Sequence, residues 1–151
     1  MEVITKVPES VVSQLKKGET VYAKTNFNNY SKRAYQILSR MAQMPNFFFG
    51  FENDPSQFSE LMDMVDMSSS DNKIILKLNI PNEILFKHDY YDFSSLIYWC
   101  EGYEGYNEDI VNDYIKCLKN VDQPGYARHS LKQVIYPRIK PAWVLDYNFT
   151  K

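Results

Sequence analysis

The stretch from Lys73 to Ile80 constrains the fold of this chain more than any other. Ile74, Leu76, Leu78 and Ile80 lie on one face and Lys77 and Asn79 on the other, the period-two pattern of a strand with one apolar side. Such a strand has to be covered by a second layer. Helix-period stripes elsewhere supply the cover. Tyr30, Ala34, Ile37, Leu38 and Met41 recur at helical spacing, which predicts a long helix capped by Asn28 or Asn29 and stopped by Pro45.

The remaining segments extend this alternation of strands and helices. Glu2–Val7 reads as a first strand, and Pro8 and Gly18 bracket a short helix bearing Val11, Val12 and Leu15. Thr20–Lys24 reads as a short strand and Phe47–Phe51 as a buried one. Asp54-Pro55-Ser56-Gln57 has the form of a capping box, ahead of a helix that turns Phe58, Leu61, Met62 and Val65 to the core. Ser68–Asn72 reads as a loop, and Ile84–Phe86 as a second extended piece. Asp92 is expected to cap a helix bearing Phe93, Leu96, Ile97 and Cys100 and closed by Gly102; Asn107 is expected to cap another. His129–Tyr136 and Val144–Phe149 read as the last strands. The expected architecture is a single α+β domain over residues 1–151, a largely antiparallel mixed sheet flanked by four or five helices.

A chain of 151 residues with 44% apolar and 15% aromatic residues can bury its own core. No apolar run approaches the roughly 20 residues of a membrane span. The start, MEVITKVPESVV, lacks a signal-peptide core. A cytoplasmic protein is the natural expectation. Cys100 and Cys117 are the only cysteines, too few for a disulfide framework or a thiolate zinc site, and both are expected to be packed and reduced. A bias toward Asn, Lys, Ile, Tyr and Phe suggests an AT-rich genome such as that of a low-GC bacterium or a phage.

Charge is unevenly spread. Between His88 and Ile115 there are seven acids and no Lys or Arg, in a chain of net charge −2, whereas residues 116–151 carry seven bases and two acids. Tyrosines, two Phe/Trp residues and the acids interleave there. An acidic, aromatic surface suits a basic partner, because clustered carboxylates attract it and Tyr supplies contact area. The expected contact set is Asp89, Asp92, Glu101, Tyr103, Glu104, Tyr106, Glu108, Asp109 and Asp113. Nucleic acid itself would be repelled, since here the aromatics travel with acids. The expected function is therefore a non-enzymatic binding or inhibitory protein of a mobile element, of counter-defence type. It would dock through residues 89–114 on a basic protein surface such as that of a nucleic-acid-binding host enzyme.

Motifs for common chemistry are absent from the sequence. It holds no Gly-rich phosphate loop, no G-x-S-x-G and no H-E-x-x-H. His88 reads as a loop histidine at a strand end, with the other histidine, His129, 41 positions away. Neither a metal site nor a Cys100–His129 catalytic pair is expected.

Short matches along nearly the whole chain resemble an uncharacterised bacterial and phage domain family. They comprise Gln14–Gly18 with Val21-Tyr22, Ala34-Tyr35 with Met41–Met44, Phe47–Phe51, Ile75–Leu85 with Asp89, and Leu131–Phe149. Members of that family tend to carry a Trp-His pair after the middle strand, where this chain has Tyr91-Asp92. A looser likeness is to ADP-ribosyltransferase-like folds, carried by Ile80-Pro81-Asn82-Glu83-Ile84-Leu85 and by Val134–Val144. That resemblance implies a nucleotide pocket between the strands at 74–80 and 131–136, with Tyr22, Tyr35, Gln133 and Tyr136 as lining and NAD as the one implied cofactor. Gln133 stands where such folds place a Glu that assists transfer, and Thr5 and Lys6 stand where an Arg or His anchors the nicotinamide half. A neutral amide hydrogen-bonds ribose but supplies no negative charge to an oxocarbenium-like state. The likeness thus implies a related scaffold without the transferase chemistry.

Overall fold

Residues 1–24, 32–67, 73–102, 105–122 and 130–149 are described by the computed structural model. In chain order they form β1 (Glu2–Pro8), α1 (Glu9–Lys16), β2 (Val21–Tyr22), α2 (Lys32–Ala42), β3 (Phe48–Glu52), α3 (Phe58–Met67), β4 (Lys73–Asn79), β5 (Phe86–Asp89), α4 (Tyr90–Glu101), α5 (Glu108–Lys119), β6 (Lys132–Tyr136), β7 (Arg138–Ile139) and β8 (Val144–Asp146). Single 3-10 turns lie at Pro55–Gln57, Asn82–Ile84 and Pro141–Trp143. The expected α+β class holds: one domain, with a six-stranded sheet in the order β5-β6-β3-β1-β4-β8 and antiparallel pairing throughout. β2 and β7 form a separate two-stranded ribbon.

The alternation read in Lys73–Ile80 does orient the sheet. Leu76 and Leu78 of β4 join Val3 and Val7 of β1 and Val134 and Tyr136 of β6 on one face, under Val12 and Leu15 of α1. The opposite face carries two separate apolar clusters. Phe47, Phe93, Leu96, Val111, Leu118 and Ile135 pack with Ala34 and Leu38 beneath α2, α4 and α5. Ile4 and Phe51 pack with Leu61, Met62 and Val65 of α3. This division of the helical layer positions the site described below.

Several local expectations are corrected. Asp89, not Asp92, caps α4: its Oδ1 accepts from the backbone N–H of Tyr91 and Asp92 at 2.9 and 3.0 Å. Asp92 therefore lies within the first turn and is buried. The capping box is only half made. Asp54 accepts from Ser56 N–H at 3.0 Å, but Gln57 reaches away and donates to the Ser130 carbonyl at 2.5 Å. The extended piece expected at Ile84–Phe86 starts only at Phe86, because Ile84 still belongs to the 3-10 turn Asn82–Ile84, where Leu85 N–H closes on the Asn82 carbonyl. The strands expected at Thr20–Lys24, His129–Tyr136 and Val144–Phe149 shrink to Val21–Tyr22, Lys132–Tyr136 and Val144–Asp146, and β7 was not anticipated. Asn107 does cap α5, accepting from Ile110 N–H at 3.2 Å, and Gly102 ends α4 at φ +73°. The caps proposed at Asn28 and Asn29 and the Ser68–Asn72 loop lie outside the described residues. Among the described residues no helix is long and apolar enough to cross a membrane.

Gly50 is the tightest point of the sheet. A Cβ there would lie 2.4 Å from Val3 Cγ1, 3.1 Å from the Ile4 carbonyl oxygen and 3.3 Å from Tyr136 Cε1. Two of those neighbours are backbone or β-branched and cannot swing aside. Gly50→Ala is expected to lower stability by about 1–3 kcal/mol, the usual cost of overpacking. Urea denaturation measures it, and an unchanged midpoint would mean that β1 and β3 can separate freely here.

Candidate functional site

β1 is paired along its length with β4, from Glu2–Asn79 to Pro8–Lys73. Its ladder with β3 is much shorter: it comprises Val3–Glu52 and Ile4–Phe51, then stops. At the next step the Phe49 carbonyl accepts from the Thr5 hydroxyl at 2.5 Å. Beyond it β1 follows β4 while β3 follows β6, from Phe51–Gln133 to Phe48–Tyr136. The two halves of the sheet diverge, and so do the two apolar clusters above them. A cleft of about 570 Å³ opens along the divide.

Its lining combines rings with a few polar groups. Phe49 and Phe51 of β3 form part of the base, Tyr35 and Phe93 one wall, and Met64 and Val65 of α3 the other. Tyr35 is stacked on Phe93 with centroids 5.6 Å apart, and Phe49 packs at 5.5 Å from Tyr35. Such a cluster gives a rigid apolar surface. Lys6, Asn46, Tyr90, Ser94 and Gln133 add the polar character. Among the described residues no carboxylate pairs with Lys6. Among the described residues none of the lining side chains is a carboxylate, an imidazole or a thiol.

Behind Gln133 lies a buried polar pair. His88 Nε2 and Gln133 Oε1 are 2.7 Å apart, on the facing positions of β5 and β6. The His88 ring is fully buried, stacked at 6.1 Å with Phe86 and edge-on to Phe93 at 5.4 Å. Burial penalises the imidazolium and pushes its pKa down to about 4, against a smaller upward pull from Gln133. His88 is thus a neutral strand residue, not the expected loop histidine. Its Nδ1 and the Asp89 Oδ2 are buried without a hydrogen-bond partner among the described residues.

The structure divides the acidic segment. Asp89 and Asp92 are 0% and 1% exposed, so neither belongs to an outer surface; capping α4 takes Asp89 inward, and the first turn takes Asp92 with it. Glu101 is half-buried, while Glu108, Asp109 and Asp113 are exposed. Tyr106, 47% exposed, is already engaged: Arg33 sits 4.2 Å over its ring and donates to its hydroxyl at 2.6 Å. Tyr103 and Glu104 lie outside the described residues, as do Arg128 and His129. Cys100 is half-buried and burial pushes its thiol up, away from the thiolate a nucleophile needs.

Of the four residues expected to line a nucleotide pocket, Tyr35 and Gln133 border the cleft. The other two do not. Tyr22 is 66% exposed on the separate ribbon. Tyr136 is buried on the opposite face, stacked on Phe48. The pocket does fall between the halves that contain the strands at 74–80 and 131–136. Those strands are not neighbours, however; β3 and β1 lie between them and provide nearly half of the lining. Sequence reading missed Phe49, Phe51, Asn46 and Ser94. Lys6 and Thr5, noted only as departures from a resemblance, also border the cleft. Comparison with family models, curated proteins and solved structures found no match to this chain.

The buried His88 has a consequence for acid stability. Its folded-state pKa of about 4 lies below the ordinary 6.5, so between those values the unfolded chain binds a proton that the folded chain refuses. Stability from this group is complete above pH 6.5 and falls as pH drops toward 4, by about 3 kcal/mol in total. Urea midpoints of the wild type and His88→Gln across that range measure it. Parallel pH profiles would show that His88 does not titrate this way.

Proposed function

We propose that this chain is a ligand-binding protein whose cleft between β1 and β3 receives a small planar anion of the nucleotide type. The observation that carries this reading is the meeting of Lys6, without an acidic partner among the described residues, with an aromatic base and wall. Rings favour stacking with a planar ligand, and a cation in a partly desolvated cleft favours a phosphate or carboxylate. A volume of about 570 Å³ suits a small organic molecule, for which pockets run roughly 300–1,000 Å³. Thr5, Lys6 and Gln133, the positions compared above with ADP-ribosyltransferase-like domains, border one cleft. Their convergence supports nucleotide binding, with NAD among the ligands to test. Binding rather than transfer is favoured, since Gln133 offers an amide where a transferase would need a carboxylate.

Docking of a basic partner on the acidic segment has less support. Asp89 and Asp92 are buried, Tyr106 is held by Arg33, and Glu108 and Asp109 occupy the first turn of α5. Acids are favoured at that position by the helix dipole alone.

Calorimetric titration with NAD, AMP and UMP tests the proposal. Saturable one-to-one binding is expected for at least one of them, weakened about tenfold or more, roughly 1.4 kcal/mol per decade, by Lys6→Met and by Tyr35→Leu. The Lys6 contribution should shrink as salt is raised. No heat and no thermal stabilisation with any of the three would remove this reading.

A further inference from the structure

Gln133 is a lining side chain whose orientation is set from behind the cleft. Its Oε1 faces His88 Nε2 across adjacent strands at 2.7 Å. An amide oxygen can only accept, so this bond needs the proton on Nε2, and the other ring nitrogen agrees. Nδ1 is buried with no partner among the described residues. A proton there would bury an unpaired N–H, whereas a bare Nδ1 leaves only an unused lone pair, the lesser cost. The proton therefore sits on Nε2, and the neutral imidazole donates to the Gln133 carbonyl. That bond turns the Gln133 amide nitrogen away from His88. Its NH2 has no protein partner among the described hydrogen bonds, and it is not among the buried unpaired atoms. Gln133 is 7% exposed, and it borders the cleft. The amide is thus a donor fixed at the base of the cleft, beside Phe51 of the facing strand position.

We propose that Gln133 determines the specificity of the cleft by donating to a carbonyl or ring-nitrogen acceptor on a planar ligand, with His88 as its positioning residue. This rests on the ligand-binding reading above and names the ligand class more closely: a planar ring bearing an acceptor on one edge and an anionic group within reach of Lys6. A ligand without the acceptor would leave the amide N–H groups facing an apolar ring. Sites built around a polar donor reject such analogues more strongly than apolar pockets reject extra bulk.

Two probes separate the readings: UMP, whose ring carries carbonyl acceptors, and phenyl C-riboside 5′-monophosphate, which has the same sugar and phosphate and a ring with no acceptor. The wild type is expected to bind UMP at least about tenfold more tightly, roughly 1.4 kcal/mol. Gln133→Met keeps the side-chain length and removes the donor. It should bring the two probes to within about threefold of each other, weakening UMP and tightening the phenyl probe, whose ring no longer faces unpaired N–H groups. His88→Phe, which keeps a buried ring but frees the Gln133 carbonyl, should reduce the preference as well. A residue that merely supports the fold would shift both probes together. Equal binding of both probes by the wild type would overturn the assignment of Gln133 and leave the cleft standing. Binding of neither probe would also overturn the assignment, and it would take the cleft with it only if NAD and AMP fail to bind as well. Should Gln133→Met fail to fold, the wild-type preference alone decides.

Discussion

The architecture turns on where one ladder of hydrogen bonds stops. Ile4 and Phe51 form the last pair between β1 and β3. One position later the Phe49 carbonyl is taken by the Thr5 hydroxyl, so a side chain replaces the backbone donor that would have continued the sheet. Neither strand loses its support, because β4 and β6 hold them from outside. The interruption costs little in pairing and produces an opening in the middle of a sheet rather than at its edge. Alternation along β1 turns the peptide groups of Glu2, Ile4 and Lys6 the same way. Glu2 accepts from Asn53 N–H at 3.0 Å, which places Lys6 at the first step facing the gap. Backbone groups turned into a gap have to be satisfied by water or a ligand.

Divergence below is matched by division above. A single continuous helical layer would have filled the gap with side chains. Instead α3 covers Ile4 and Phe51, while α2, α4 and α5 cover Phe47 and Ile135. Gly50 limits the opening from the other side of the sheet: with no side chain there, Val3 and Tyr136 close over β3. The cleft is therefore open on the helical face and closed on the face that α1 covers. His88 and Gln133 form a polar pair in the apolar region of Phe86 and Phe93. Such a pair is expensive to bury unless its bonds are made, and here one bond is made while one ring nitrogen is left over. An apolar pair at those facing positions would have filled the same space without that cost.

Much of the scaffold was legible because its signals are local. Alternation in Lys73–Ile80 gives β4 and its buried face, Asn107 gives the start of α5, and Gly102 gives the end of α4. The caps at Asp89 and Asp92 were confused for an equally local reason. Both carboxylates precede the same apolar stripe, and only the extension of β5 to Asp89 decides which one meets the free N–H groups. The cleft was only partly legible. Phe47–Phe51 reads as an ordinary buried strand, and nothing within it tells that its neighbour on one side departs after two pairs. That is a property of the register between residues nearly 50 positions apart in the sequence. Gln133 and Tyr35 were reached through a resemblance, and Tyr22 and Tyr136 failed because strand alternation and a separate ribbon put them elsewhere.

The lopsided charge has an explanation within the fold. Its acids fall largely at helix starts: Asp89 and Asp92 open α4, and Glu108 and Asp109 open α5. The bases Lys116 and Lys119 fall in the last turn of α5. Because the two helices follow one another, two helix N-termini lie within residues 88–115, and the first basic helix end comes only after it. Asp89 accepts from two backbone N–H groups at the start of α4, and acids near a helix start and bases near its end are favoured by the helix dipole. The order of helix ends thus accounts for part of the segregation of charge along the chain. The cleft differs in this respect. Within the described residues Lys6 has no carboxylate to answer it, and it stands in mid-strand, where no helix terminus accounts for its charge.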